Sequence, residues 1–379
     1  MSGHALLSPS SAVRWMHCPG SVRLSKDLPD VSSKFADEGT DAHEIAALAL
    51  TNGFDAKVHI GYKLKMGKIL DEEMAHEVQK YIDYVRDVVE STRGTCMIEQ
   101  RLSISPFTNE DNAFGTADVV ILAEKELIVI DLKYGRGVPV QADHNPQLQI
   151  YALAALEEYN LAGDIEQVRM VIHQPRLNTV SEWVQSVDEL NNFSVDVAKA
   201  ALLTQDSKAA LVPGDKACQW CRAKSQCPAL RDHALDAFEN LVPDELSDAA
   251  LALLLGQADM FEGWIKSIRA EAETRLLDGG TLPNYKLVLG NKGARAWTDK
   301  AEAESLMKSM RLKVEEMYTL TLITPTAADK LSKLYTIGPR QWPKLQALIT
   351  QPPAKPVVVE ESDRRPAHVP MPDSYSPTN

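Results

Sequence analysis

The sequence predicts an α/β fold: a mixed β-sheet flanked by helices, with a helical C-terminal appendage. Three observations carry this. Short β-branched, apolar runs at 97–104, 117–123, 127–133 and 168–174 read as strands, and longer segments of helical period separate them. Their order, αα–βββ–α–β, suits one sheet with helices on its faces. The chain's 379 residues are 44% hydrophobic and 25% charged, within the ordinary range for a globular protein. No apolar run approaches the ~20 residues a membrane helix needs.

Taken in order, two helices open residues 1–50, the second over 35–50. Residues 71–92 form an amphipathic helix with Met74, Val78, Tyr81, Val85 and Val88 on one face. The strands follow, and a helix over 147–159 crosses between the last two. A helix at 189–204 leads into a cysteine-rich loop. A long helix spans 247–277, stopped by Gly279-Gly280; its stripe from Leu251 to Ile268 reads as core or a partner interface. Residues 285–289 read as a strand, and 298–310 and 326–350 as helices. The last 29 residues hold seven prolines and read as a disordered tail. The domain expectation is 1–235 as the main unit, 241–281 as a long helix, 282–350 as a small C-terminal region and 351–379 as the tail.

The chemistry concentrates in the strands. Asp131 and Lys133 end the run Leu127-Ile128-Val129-Ile130-Asp131-Leu132-Lys133, and residues i and i+2 of a strand share a face. A hairpin centred between Glu124 and Lys125 sets Asp118 opposite Asp131. Their Cβ atoms would then lie roughly 5 Å apart, where like charges destabilise unless a cation sits between them. Two carboxylates suit Mg²⁺ or Mn²⁺, which polarises a phosphoryl oxygen and activates water. Lys133 would serve that water or the charge building on the phosphate. Gly115-Thr116-Ala117 lets the backbone approach closely ahead of Asp118.

Cys218-x2-Cys221-x5-Cys227, with Cys18 far upstream, is a second constellation. The N-terminus lacks a basic-then-apolar leader, which places the chain in a reducing cytoplasm where clustered cysteines favour metal over disulfide. Cys18 and Cys227 precede proline, as in ferredoxin-type cluster loops. The four thiols are expected to hold an iron–sulfur cluster, with a structural Zn²⁺ as the alternative. Cys96 is the spare and reads as a small buried hydrophobe.

In this order Gly-x-x-Asp, Asp-x-Lys and Gln-x3-Tyr resemble the RecB-like branch of the PD-(D/E)xK nucleases. The distant-plus-clustered cysteines resemble the 4Fe-4S staple of AddB-type and CRISPR-adaptation nucleases. The resemblance covers about residues 8–232 and implies a restriction-endonuclease-like core. It adds His43, in Glu38-Gly39-Thr40-Asp41-Ala42-His43, as a metal ligand beside Asp118 and Asp131, and Glu99 as a further acidic residue. It also implies that Gln147 and Tyr151 position the substrate backbone; they lie one helical turn apart. The implied activity is that of a metal-dependent deoxyribonuclease, an exonuclease of a phage or prophage type, acting in recombination or DNA processing. The alternative is a non-catalytic nucleic-acid-binding or scaffold module with a vestigial site. The net charge of −13 rules out a broad basic surface for DNA. Binding would then be local and metal-assisted, or DNA would come from a partner such as a single-strand annealing recombination protein.

Overall fold

In the computed structural model the described residues are 5–29, 33–137, 139–159, 165–239, 247–286, 288, 300–310, 313–318, 324–333 and 336–349. The tail expected at 351–379 lies outside them. They divide into two compact units, Met1–Val288 and Leu289–Asn379.

The first unit opens with a 3-10 turn (Pro9–Ser11), then α1 (Ala12–His17), α2 (Gly20–Ser25), α3 (Lys34–Asn52) and α4 (Glu72–Thr92). The single first helix expected here is two, broken at Cys18-Pro19, where proline cannot donate to the preceding turn. Side-chain caps set the starts of the long helices: Ser33 accepts from Ala36 N–H and Asp71 from Met74 N–H. Gly53, at φ 72°, ends α3 in the left-handed conformation that glycine adopts without steric cost.

The strands are β1 (Thr95–Ser103), β2 (Phe114–Leu122), β3 (Glu126–Leu132), β4 (Gln167–Gln174) and β5 (Thr179–Ser186), with α5 (Ser105–Thr108) after β1 and α6 (Pro146–Tyr159) between β3 and β4. They form a mixed five-stranded sheet in sequential order. Pairing is antiparallel except between β3 and β4, where the crossover through α6 makes it parallel. β5 was not expected: its Thr-Val-Ser-Glu-Trp-Val-Gln-Ser sequence lacks a regular apolar alternation, and it pairs along the far edge of β4. α7 (Val187–Thr204) follows directly, started by a capping box between Ser186 and Glu189.

β3 is buried on both faces, which explains its unbroken apolar run. Leu127 and Val129 join one core with Trp15 of α1, Leu148 and Ile150 of α6, and Leu190 and Val197 of α7. Ile128, Ile130 and Leu132 join the other, with Ala42 and Ile45 of α3 and Met74, Val78 and Tyr81 of α4. Truncating Ile128 or Ile130 to alanine would cost about 2–5 kcal/mol. The sheet is thus held rigidly between two helical layers, and the site grows from the C-terminal end of β3.

The unit closes with α8 (Asp215–Gln219), α9 (Pro228–Glu239) and α10 (Asp248–Leu277). The stripe on α10 is core only in part: Phe261, with Met260, is buried against Leu230 and Ala234 of α9, while Leu251, Leu255, Ile265 and Ile268 stay exposed. Of the strand expected at 285–289, Tyr285 forms a bridge with Leu282, and Leu287 and Leu289 lie outside the described residues. In the second unit α11 (Lys300–Ser309), α12 (Val314–Met317), α13 (Pro325–Lys333) and α14 (Trp342–Gln346) are described. The single helix expected over 326–350 is two pieces, separated by a segment holding Gly338-Pro339, residues that stop helices. No described helix is long and apolar enough to cross a membrane.

Candidate metal site

β2 and β3 pair as Val119↔Ile130 through Leu122↔Leu127. One step further along that register sets Asp118 opposite Asp131. Between β1 and β2 the pairs Ile98↔Val119 and Gln100↔Ala117 flank one interruption, which sets Glu99 opposite Asp118. Glu99 has φ 51°, a left-handed conformation uncommon for a non-glycine residue. Three carboxylates therefore form a row across three adjacent strands.

The row is held from several directions. Asp118 Oδ2 accepts the Leu132 N–H at 2.7 Å, and Asp118 Oδ1 lies 3.0 Å from His43 Nδ1 of α3. Lys133 Nζ is 2.8 Å from Asp131 Oδ2. From α6, Gln147 Nε2 donates to Asp131 Oδ1 at 3.0 Å and Gln147 Oε1 accepts from Lys133 Nζ at 3.0 Å. Gln147 thus clamps the Asp131–Lys133 pair. Tyr151, one turn on, is buried, and its ring explains Gly115: a Cβ there would stand 2.7 Å from the ring and 2.9 Å from Pro9.

The ligand atoms of His43, Glu99 and Asp118 lie within 4.8 Å of one another. Asp131 is not in that set; it sits beside it, tied to Lys133 and Gln147. One imidazole and two carboxylates are the donors a divalent cation takes, and the imidazole suits Mn²⁺ better than Mg²⁺. Burial lowers the proton affinity of His43, but the Asp118 carboxylate, its hydrogen bond and the charge of Asp131 outweigh it, raising the pKa to about 9. Burial, then the neighbouring Asp118, raises Glu99. Burial raises Asp131 against the opposing pull of Lys133. The His43 shift reflects the carboxylates around it. For Glu99 and Asp131 burial is the larger cause and the charge of Asp118 adds to it, and a cation would relieve that added repulsion.

Two features here were not singled out from the sequence. Tyr81 of α4 lines a small cavity with His43, Glu99, Asp118 and Leu132, and its buried hydroxyl finds no partner among the described residues. Its position on an apolar helix face concealed it. Arg176 pairs with Glu38 at 2.9 Å and lies 4.7 Å from the Tyr134 ring centroid. Arg136, legible in the sequence as one more cation in the loop after Lys133, pairs with Glu73.

The cysteines behave differently. Cys18, Cys218, Cys221 and Cys227 line one small apolar cavity. Among the described residues, however, the only group of three or more such ligand atoms within 4.8 Å is His43, Glu99 and Asp118. Four thiolates at 2.3 Å from one zinc would stand about 3.8 Å apart, so the Zn²⁺ alternative fails. The expected 4Fe-4S staple is likewise overturned, because the thiols form no such ligand group. Instead Cys18 Sγ accepts the Val212 N–H at 3.2 Å and Cys218 Sγ the Gly214 N–H at 3.4 Å. Burial raises the Cys218 and Cys227 thiols, favouring the neutral form that packs against apolar side chains.

Fold and site together define an α/β protein with a compact His/Glu/Asp group suited to a divalent cation. Residues 4–366 match the family described as "Protein of unknown function (DUF2800)", and the chain belongs to it. This replaces the RecB-like, cluster-stapled assignment drawn from motif order. Among solved structures the chain is similar to SSO0001 at 16% identity, covering 56% of this chain and 95% of that one with a TM-score of 0.24. It is also similar to LHK-Exo in complex with dAMP at 10% identity, covering 52% and 90% with a TM-score of 0.24.

Proposed function

We propose that this chain is a metal-dependent deoxyribonuclease, an exonuclease that hydrolyses phosphodiester bonds during DNA processing or recombination. The observation that carries the reading is the convergence of His43, Glu99 and Asp118 within 4.8 Å beside the Asp131–Lys133 pair at 2.8 Å. His43, Glu99 and Asp118, with Asp131 beside them, would hold Mn²⁺ or Mg²⁺, which supplies charge neutralisation and a water nucleophile at neutral pH.

The other roles belong to the chain itself. Lys133 places a positive charge where negative charge builds on the phosphate. Gln147 fixes the Asp131 and Lys133 head groups relative to each other and, with Tyr151, stands where a strand's backbone would pass. The arrangement suits a restriction-endonuclease-like core. The charge of −13 fits a local DNA contact or delivery by a partner such as a single-strand annealing protein, in the cytoplasm.

The test is incubation of linear and closed circular DNA with the protein in Mn²⁺ or EDTA, beside Lys133→Ala. Mn²⁺-dependent loss of linear but not circular DNA, lowered at least about 100-fold in the variant, is expected. Cutting of both forms would remove the exonuclease reading, and no cutting by folded protein would remove the nuclease reading.

A further inference from the structure

The first residues of the chain form a second feature against the site. Pro9, whose ring would lie 2.9 Å from a Cβ on Gly115, joins the contact layer of Tyr151 and the start of β2, three residues before Asp118. Its neighbours Ser8 and Ser10 line an open groove of 580 Å³ with Arg14 of α1 and, from the segment around α8, Lys216, Trp220 and Arg222. No aspartate or glutamate is among the described residues lining it, in a chain of net charge −13.

The groove is built rather than incidental. Arg14 Nη1 donates to Ser25 Oγ at 2.9 Å and Arg222 Nη1 to the Leu28 carbonyl at 3.0 Å. Each guanidinium is therefore anchored in place. Trp220 is 80% exposed, yet its neighbours Ala217 and Cys221 are buried. They hold the backbone while the indole stands in solvent. Cations and hydroxyls track a phosphate backbone, and an exposed indole stacks on a base whose π-face is open. A duplex has no such face to offer along its length, because its bases stack on one another.

We propose that this groove holds a single-stranded segment of DNA leading to or from the carboxylate site. Phosphates lie on Arg14, Lys216 and Arg222, and one base stacks on Trp220. The proposal rests on the nuclease reading and names the form of its substrate.

Its test is fluorescence polarisation of labelled oligothymidylate, about twelve nucleotides long, against a blunt duplex of equal length. Working in EDTA keeps cutting silent. The wild-type chain is expected to prefer the single strand. Trp220→Ala should weaken that binding about 5- to 100-fold, and Trp220→Phe should recover most of it. Lys216→Ala should reduce the salt dependence by about one phosphate contact. Equal binding of both probes, or single-strand affinity unmoved in Trp220→Ala and Lys216→Ala, would overturn the groove. Mn²⁺-dependent cutting in those same variants would then still stand. Groove-dependent binding by a protein that never cuts would instead overturn the nuclease reading and leave the groove in place.

Discussion

The carboxylate row and the cysteine segment were both visible as spacings, yet only the first converges into a ligand group. Asp118 and Asp131 sit on paired strands, where a two-residue period and a fixed register determine which side chains meet. The cysteines sit at a helix end and in a loop around α8, where spacing constrains the backbone but not the direction of Sγ. Burial then makes the difference chemical. Crowded carboxylates call for a cation, while burial keeps the Cys218 and Cys227 thiols protonated and able to pack. A count of ligands is therefore informative on a strand ladder and weak in a loop.

The largest effect that would sharpen this contrast is acid sensitivity behind the carboxylate row. His173 of β4 is buried between the Tyr81 and Tyr84 rings. Burial first, and the Lys80 charge second, push its pKa down to about 4 from an ordinary value of about 6.5. The unfolded chain binds the extra proton between these values. The stabilisation is thus complete above about pH 6.5 and is lost as pH falls towards 4, by about 3 kcal/mol. Urea unfolding at pH 7 and at pH 4.5 would measure this, and His173→Gln should flatten the dependence. An unchanged slope in that variant would assign the acid sensitivity elsewhere.

Metal linkage sets the two regions directly against each other. At a hundredfold excess over its Kd, Mn²⁺ should stabilise the fold by about 2.7 kcal/mol. A thermal shift should vanish in Asp118→Asn and persist in Cys218→Ser. A shift lost in Cys218→Ser as well would mean that the regions are coupled after all.

The smallest expected effect is steric. Gly115→Ala places a methyl against Tyr151 and Pro9 and should cost about 1–3 kcal/mol by overpacking. Stability equal to wild type would show that Pro9 yields freely. The contact layer between the turn and the site would then be loose.

The sequence by itself determined the strands, the hairpin register and the shared face of Asp131 and Lys133, because a strand's alternation and a short turn are local properties of the chain. The amphipathic face of α4 was legible for the same reason. β5 was not, because its polar edge residues resemble a loop until β4 pairs with them. Only the tertiary structure brought His43 to Asp118 across 75 residues, turned Glu99 to φ 51° and set Gln147 between Asp131 and Lys133. It alone also directed the sulfurs of Cys18 and Cys218 to backbone N–H groups and left Trp220 facing solvent. These outcomes depend on which helix packs on which face and on the rotamers that fit there. Long-range burial decides both, and no spacing along the chain encodes it.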